Sequence, residues 1–135
     1  MASVGSIVSR ALRLVGVLDA GESAAAIDMQ TGIEVLNAMC TRMDADGIAI
    51  GWANVASPAE DMPTRPEHDE PIAYILAVRL GDEFRVSVPE TVIVTASYGM
   101  SKIHADALRV DGARLDYDLP GNASGGRLAG FLGGQ

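Results

Sequence analysis

The segment from Ile72 to Leu80 most constrains the fold, because nearly every residue in it is apolar. It follows Glu70 and Pro71, and a proline suits the first turn of a helix. A helix that is apolar almost all round lies at the centre of a core or is shared with a neighbouring subunit. For the second alternative we assign a subunit interface to Ile72, Ile75, Leu76, Val78 and Leu80.

Two further helices are predicted before this segment. Apolar residues between Ile7 and Val15 recur at three- and four-residue spacing behind a cap at Ser3 or Ser6, and Gly16 marks the C-terminal end. The second helix is predicted from a Ser23 cap to Asp46 and Gly47. Its apolar face is traced by Ile27, Ile33, Leu36, Met39, Cys40 and Met43.

The middle of the chain and a fourth helix complete the predicted core. Residues 48–55 alternate large and small side chains, which predicts an extended stretch or a hairpin, and the following prolines predict an exposed loop. A capping box at Ser87 and Glu90 begins a helix that runs to about Val110. Gly99 in its middle predicts either a close helix approach or a kink. The expected fold is therefore all-α, a bundle of about four helices over residues 1–112.

Residues 113–135 differ from the rest of the chain, because six of them are glycine. Glycine at that density disfavours helix and strand, whereas spaced apolar residues are unusual in an inert linker. Two interpretations stay open: a frayed tail, and an extended arm that orders along a partner. The candidate anchors of the arm are Leu115, Tyr117, Leu119, Pro120, Leu128, Phe131 and Leu132.

Charge and cysteine content limit the possible functions. A formal net charge of -8 argues against a nucleic-acid-binding surface, because affinity for phosphates comes chiefly from lysine and arginine. The single cysteine, Cys40, has no intramolecular partner, which indicates a reducing compartment, and its apolar neighbours indicate a buried side chain. We expect neither a secretory signal nor a membrane span, because no apolar stretch is long enough for either.

The sequence offers little that is typical of catalysis. Residues 67–70 are potential metal ligands, but adjacent residues in a loop do not converge on one ion, so no metal site is predicted. His104 is expected to be an ordinary surface histidine. A small peptidoglycan-cleaving enzyme with paired carboxylates remains an alternative, since such pairs meet in space rather than along the chain. We predict no catalytic residue and no cofactor.

A set of short motifs, in order and at consistent spacing, occurs between residues 7 and 122. It comprises residues 11–17, Met29, Gln30, Leu36, Ala38, Met39, Met43, residues 46–48, Gly51, Trp52, residues 89–99 and residues 117–122. Together these resemble the head-to-tail adaptors of short-tailed phages, also called packaged-DNA-stabilisation, head-completion or tail accessory proteins. Ala96, Tyr98 and Gly99 match the Ala-x-Tyr-Gly signature of that family. The middle loop and the third helix depart from the family pattern.

The resemblance implies a virion structural protein at the head–tail junction, made in the host cytoplasm. It implies a twelve-membered ring beneath the portal ring, with the C-terminal arm along the portal protein and a downstream tail or stopper protein on the opposite side. Such a ring extends the DNA channel and helps retain packaged DNA, enclosing the double-stranded DNA without sequence-specific binding and without contact to a membrane. A cytosolic helical protein-interaction module is a further alternative.

Overall fold

Four α-helices form the fold of the described residues, which are 2–48 and 50–118 of the computed structural model, with side chains described through residue 109. A short 3-10 helix precedes the third α-helix, and no β-strand occurs within these residues. The all-α class with four helices is therefore confirmed. The α-helices are α1 (Val4–Leu14), α2 (Ala26–Ala45), α3 (Asp69–Phe84) and α4 (Glu90–Asp118), and the 3-10 helix is Pro66–His68.

α3 is the central helix, because it contacts each of the other three. Of the five side chains assigned to a subunit interface, Ile72, Ile75, Leu76 and Leu80 are buried inside this single chain, and Val78 is partly buried. The interface assignment is corrected for those four residues, because side chains already covered by the chain's own helices are not available to a neighbour. Their apolar character serves the core, which was the other alternative.

The first helix is confirmed together with its Ser3 cap. The Ser3 hydroxyl oxygen accepts a hydrogen bond from the Ser6 backbone N–H at 3.1 Å. Two further N–H groups of the first turn donate to the loop that follows α2, Val4 to the Glu60 carbonyl at 2.8 Å and Gly5 to the Pro58 carbonyl at 2.9 Å. The loop thus satisfies N–H groups that have no partner within the helix.

The described residues between α2 and the 3-10 helix have no regular secondary structure and include a turn at 58–59, so they do not form the predicted hairpin. The Asn37 side chain holds this segment to α2: its amide donates to the Val55 carbonyl at 2.8 Å, and its oxygen accepts from the Val55 N–H at 3.0 Å. These bonds replace those that a second strand would supply. The period-two pattern nevertheless identified inward-facing residues at its start, since Ile48 and Ile50 are buried and Trp52 is partly buried, whereas the buried Val55 is out of phase with them.

The start of α2 differs from the prediction at two residues. Ser23 does not cap the helix, because the carboxylate of Glu22 closes a turn onto the Asp19 N–H at 3.0 Å and the helix begins only at Ala26. Ile27 was placed on the buried face but is 73% exposed. The packed face of α2 begins one turn later at Gly32, against which Val8 of α1 lies.

α4 is longer than predicted and begins differently. The capping box is wrong, because Glu90 is the first helical residue and the Ile93 N–H donates to the Pro89 carbonyl at 3.2 Å, which places the cap at Pro89. The helix was expected to end at about Val110 but continues to Asp118, so residues 113–118 of the predicted arm are helical. Those six residues contain neither glycine nor proline, and a single Gly112 is tolerated inside a helix.

Candidate functional site

A cleft of about 620 Å³ lies between the start of α3 and the middle of α4. The 3-10 helix and the first turns of α3 form one wall, and α4 forms the other. It is lined by aromatic, acidic and basic side chains. The residues that matter below are His68, Pro71, Tyr98, Lys102, Asp106 and Arg109.

Gly99 makes the cleft possible by letting α4 approach α3 closely. A Cβ atom on Gly99 would lie 2.9 Å from the Cβ of Pro71 and 3.2 Å from its Cα. Of the two outcomes predicted for Gly99, the close approach is confirmed. Lys102, Asp106 and Arg109 follow Gly99 at intervals of three, seven and ten residues, which places them along the same side of the helix.

Asp106 joins the two walls of the cleft. The Nε2 atom of His68 lies 3.1 Å from one oxygen of the Asp106 carboxylate, and the Arg109 guanidinium donates to the other oxygen at 2.8 Å. His68 is only 4% exposed, whereas Arg109 is largely solvated. Because the Asp106 carboxylate accepts hydrogen bonds from both the buried His68 ring and the solvated Arg109 guanidinium, it fixes the orientation of α4 at the cleft.

The hydrogen bonding of the His68–Asp106 pair favours a structural role for the pair over proton transfer. The hydrogen bond from His68, aided by the Arg109 guanidinium, holds the pKa of Asp106 below its ordinary value. Nε2 of His68 is occupied by Asp106, and Nδ1 is buried with no hydrogen-bond partner among the described residues. A general base needs a nitrogen that a substrate can reach, and His68 presents none.

Two other acidic residues at the cleft also have cationic partners. Glu70 lies 3.3 Å from the guanidinium of Arg10, which in turn lies over the ring of Tyr74 at 5.5 Å from its centroid. Glu67 pairs with Arg65. Across the described part of the chain, no three histidine, cysteine or acidic side chains come together as a metal-binding group. Each acidic side chain that lines the cleft, Glu67, Glu70 and Asp106, is therefore paired with an arginine.

The side of α4 that faces away from α3 is the second candidate surface, and we call it the outer α4 face. It lies opposite the buried Val92, Ala96, Ile103 and Ala107. Three of its side chains are large and strongly exposed: Val94 at 59%, Tyr98 at 66% and Leu108 at 68%. The face consists of Val94, Ser97, Ser101, Ala105 and Leu108, with Tyr98 at its border with the cleft, and all six residues are exposed and uncharged.

The predicted arm falls mostly beyond the described residues. Leu115 and Tyr117 are on the last turns of α4, where side chains are not described. The other anchors, Leu119, Pro120, Leu128, Phe131 and Leu132, lie outside the described residues.

Asp106 and the outer α4 face were missed by sequence reasoning, although a signal existed for each. Gly99, Lys102, Asp106 and Arg109 share one side of the predicted fourth helix, next to the close approach that Gly99 predicted. The outer face was detectable as an uncharged strip on the opposite side of the same helix.

Two residues behave as the sequence predicted. Cys40 is buried in the core, and this burial raises the pKa of its thiol to about 12, which suppresses the reactive thiolate. His104 is exposed on α4.

The chain matches no protein-family model and no curated protein sequence. No helix among the described residues combines the length and the apolar character that crossing a membrane requires.

Proposed function

We propose that this chain is a virion structural protein, a head-to-tail adaptor that binds beneath the portal ring, extends the DNA channel and attaches the next tail component. The observation that carries the proposal is the outer α4 face. Val94, Tyr98 and Leu108 are exposed on an uncharged helix face, and an exposed apolar surface is a candidate for contact with another chain. They are expected of a subunit whose surface is covered on assembly.

The contacts of the family signature support the same role. Ala96 is buried and Gly99 lies against Pro71, so internal packing explains both small residues. Tyr98 is 66% exposed on the lip of the cleft, and packing within the chain does not explain it. Tyrosine is enriched at the centres of protein interfaces, where its ring is buried and its hydroxyl finds a partner. In the proposed assembly, a contact with another chain covers the exposed side chain of Tyr98.

The His68–Asp106 link gives the assembly a rigid surface. By fixing α4 against the start of α3, it holds the outer α4 face in one orientation before any partner binds. A preorganised face loses less conformational entropy on binding than a mobile one. In the proposed ring, α4 therefore replaces α3 as the helix that meets another chain.

The acidic character of the chain suits a channel that DNA passes through. Twelve copies with -8 each would carry a formal charge of about -96 around the ring. Such a field disfavours adhesion of DNA to the wall. A filter-binding assay should accordingly find no measurable retention of double-stranded DNA by the purified protein at low salt; tight retention would contradict this part of the proposal.

Binding to the cognate portal tests the proposal. The full chain should co-sediment with portal rings, and a chain that ends at Asp118, which keeps all of α4, should lose most of that binding if residues 119–135 form the arm. Glu34→Gln, an exposed change on α2 outside the motifs of the resemblance, serves as the control and should bind as the unmodified chain does. Failure of the full chain to bind portal rings would refute the adaptor role, and full binding by the shortened chain would refute the arm.

A further inference from the structure

The cleft between α3 and α4 contains one charge that has no counterpart. Each of its three carboxylates pairs with an arginine. Lys102 also lines the cleft and is exposed, but no carboxylate among the described residues lies within ion-pair distance of its ammonium group. Because the three pairs are neutral, Lys102 gives the cleft a local positive charge.

This local charge is opposite in sign to that of the whole chain, which is -8. At physiological ionic strength, salt largely screens exposed charges that are more than about 8 Å apart. Distant carboxylates therefore repel an anion in the cleft only weakly, whereas Lys102 attracts it directly. Charge complementarity favours a ligand that places an anionic group at Lys102.

Asp106 restricts this anionic group to one with a single negative charge. The pKa of Asp106 is lowered mainly by its hydrogen bond with His68, and the charge of Lys102, one turn earlier on α4, contributes. The Asp106 carboxylate is thus close enough to Lys102 to repel a doubly charged phosphate. The Arg109 guanidinium, which could otherwise bind phosphate through two hydrogen bonds, is already bound to Asp106. A carboxylate meets less repulsion and suits a single lysine.

Tyr98 offers an aromatic contact at a fixed distance from Lys102. The two residues are four apart on α4, so their Cβ atoms are about 6 Å apart, and both side chains line the cleft. Tyr98 is 66% exposed, whereas Arg10 lies over the ring of Tyr74 on the opposite wall. In an extended peptide, alternate side chains point the same way and are about 6.8 Å apart. An acidic and an aromatic side chain at that spacing would meet Lys102 and Tyr98 together.

We propose that the cleft binds an extended peptide segment in which an acidic and an aromatic side chain are two residues apart, with the carboxylate at Lys102 and the ring on Tyr98. The cleft volume of about 620 Å³ is sufficient for a few residues of such a segment. Both contacts are partly solvated, so we expect a dissociation constant of about 1 mM. The inference does not depend on the adaptor role. If that role holds, the segment belongs to the chain that covers Tyr98 in the assembly.

Nuclear magnetic resonance titration of the isotope-labelled full chain tests the inference with a defined probe. The probe is the blocked peptide acetyl-Ala-Glu-Ala-Phe-Ala-amide, which has the required spacing. Backbone signals of residues near Tyr98 and Lys102 should shift with a dissociation constant of about 1 mM. Glutamine in place of glutamate should weaken binding about fivefold. Phosphoserine in place of glutamate, or glutamate placed directly next to phenylalanine, should also weaken it.

Variants of the protein assign the two contacts. Lys102→Gln should weaken binding of the glutamate peptide about fivefold and leave that of the glutamine peptide unchanged, because only the charge pair is removed. Tyr98→Ala should weaken binding of both peptides about fivefold. Arg79→Gln is the matched control: it removes the same charge from an exposed residue of α3 that does not line the cleft, and it should change neither affinity. All three positions are exposed, so the urea midpoints should stay close to that of the unmodified chain.

Three results would contradict the proposal. No shift of the cleft signals at about 10 mM peptide would overturn it. Equal weakening of the glutamate and glutamine peptides by Lys102→Gln would overturn the charge pair on which it rests. A phosphoserine peptide that binds as tightly as the glutamate peptide would overturn the choice of a carboxylate. Portal binding is a separate measurement, so its failure would refute the adaptor role and leave the peptide results unaffected.

Discussion

Replacing Gly99 with alanine tests the close approach of α3 and α4. The higher helix propensity of alanine would stabilise the protein, whereas contact of its Cβ with Pro71 would destabilise it. In an unobstructed helix the change would stabilise the protein by about 1 kcal/mol, since glycine has low helix propensity. Here the new Cβ would lie 2.9 Å from the Cβ of Pro71 and 3.2 Å from its Cα. Ordinary carbon–carbon contacts begin at about 3.5 Å, so the helices must separate by about 0.6 Å.

The separation outweighs the gain in helix propensity. Pro71 cannot rotate away, because its ring fixes the backbone in the first turn of α3. Overpacking of this kind costs about 1–3 kcal/mol, and α4 residues such as Ile103 lose contact with the core as the helices move apart. We expect Gly99→Ala to lower the free energy of unfolding by about 1 kcal/mol net, and Gly99→Val to lower it by about 3 kcal/mol.

Urea denaturation followed by circular dichroism measures both values. Ala105→Gly is the matched control, because position 105 is exposed on the same helix and should show only the propensity effect, a loss of about 1 kcal/mol. An increase in stability for Gly99→Ala would show that nothing obstructs a side chain at position 99. It would refute the close approach on which the geometry of the cleft rests.

Three further predictions concern single side chains. Because burial raises the pKa of Cys40 to about 12, a thiol reagent should modify the native protein far more slowly than the urea-unfolded chain. Asn37→Ala removes both hydrogen bonds to Val55 and should lower the free energy of unfolding by about 1–3 kcal/mol in urea, whereas Thr41→Ala, on the exposed side of α2, should have a much smaller effect. Since the folded-state pKa of Asp106 is lowered, its carboxylate stabilises the protein above the unfolded-state pKa, and this contribution is lost as pH falls through the folded-state pKa. At neutral pH, Asp106→Asn should therefore unfold at a lower urea concentration than the unmodified chain. As the pH is lowered, the urea midpoints of the two proteins should converge.

Local patterns predicted the helices well because each was supported by adjacent residues. The Ser3 cap and the apolar residues of α1 are close together in sequence, and so are the apolar residues of α3. Gly99 predicted a close contact because glycine is unfavourable inside a helix and usually occurs there for a packing reason. Errors also arose where a competing local hydrogen bond decided the outcome, as at Ser23, where the adjacent Glu22 carboxylate closes a turn onto the Asp19 N–H and the helix begins only at Ala26.

The cleft was harder to predict because its key contact is long-range. His68 and Asp106 are 38 residues apart, His68 in a run of polar residues and Asp106 between two alanines. Only the packing of α4 on α3 brings them together. The five α3 residues illustrate the same limit, since an apolar helix predicts burial but not whether its own chain or a neighbour supplies the cover.

The mass of the complex formed with the cognate portal tests the adaptor role most directly. Purified protein should be mixed in excess with portal rings, and the complex should be weighed by native mass spectrometry. The proposed role predicts one added ring, with twelve copies of the 14.1 kDa chain on each portal. Portal rings that keep their original mass in the presence of excess folded protein would contradict it.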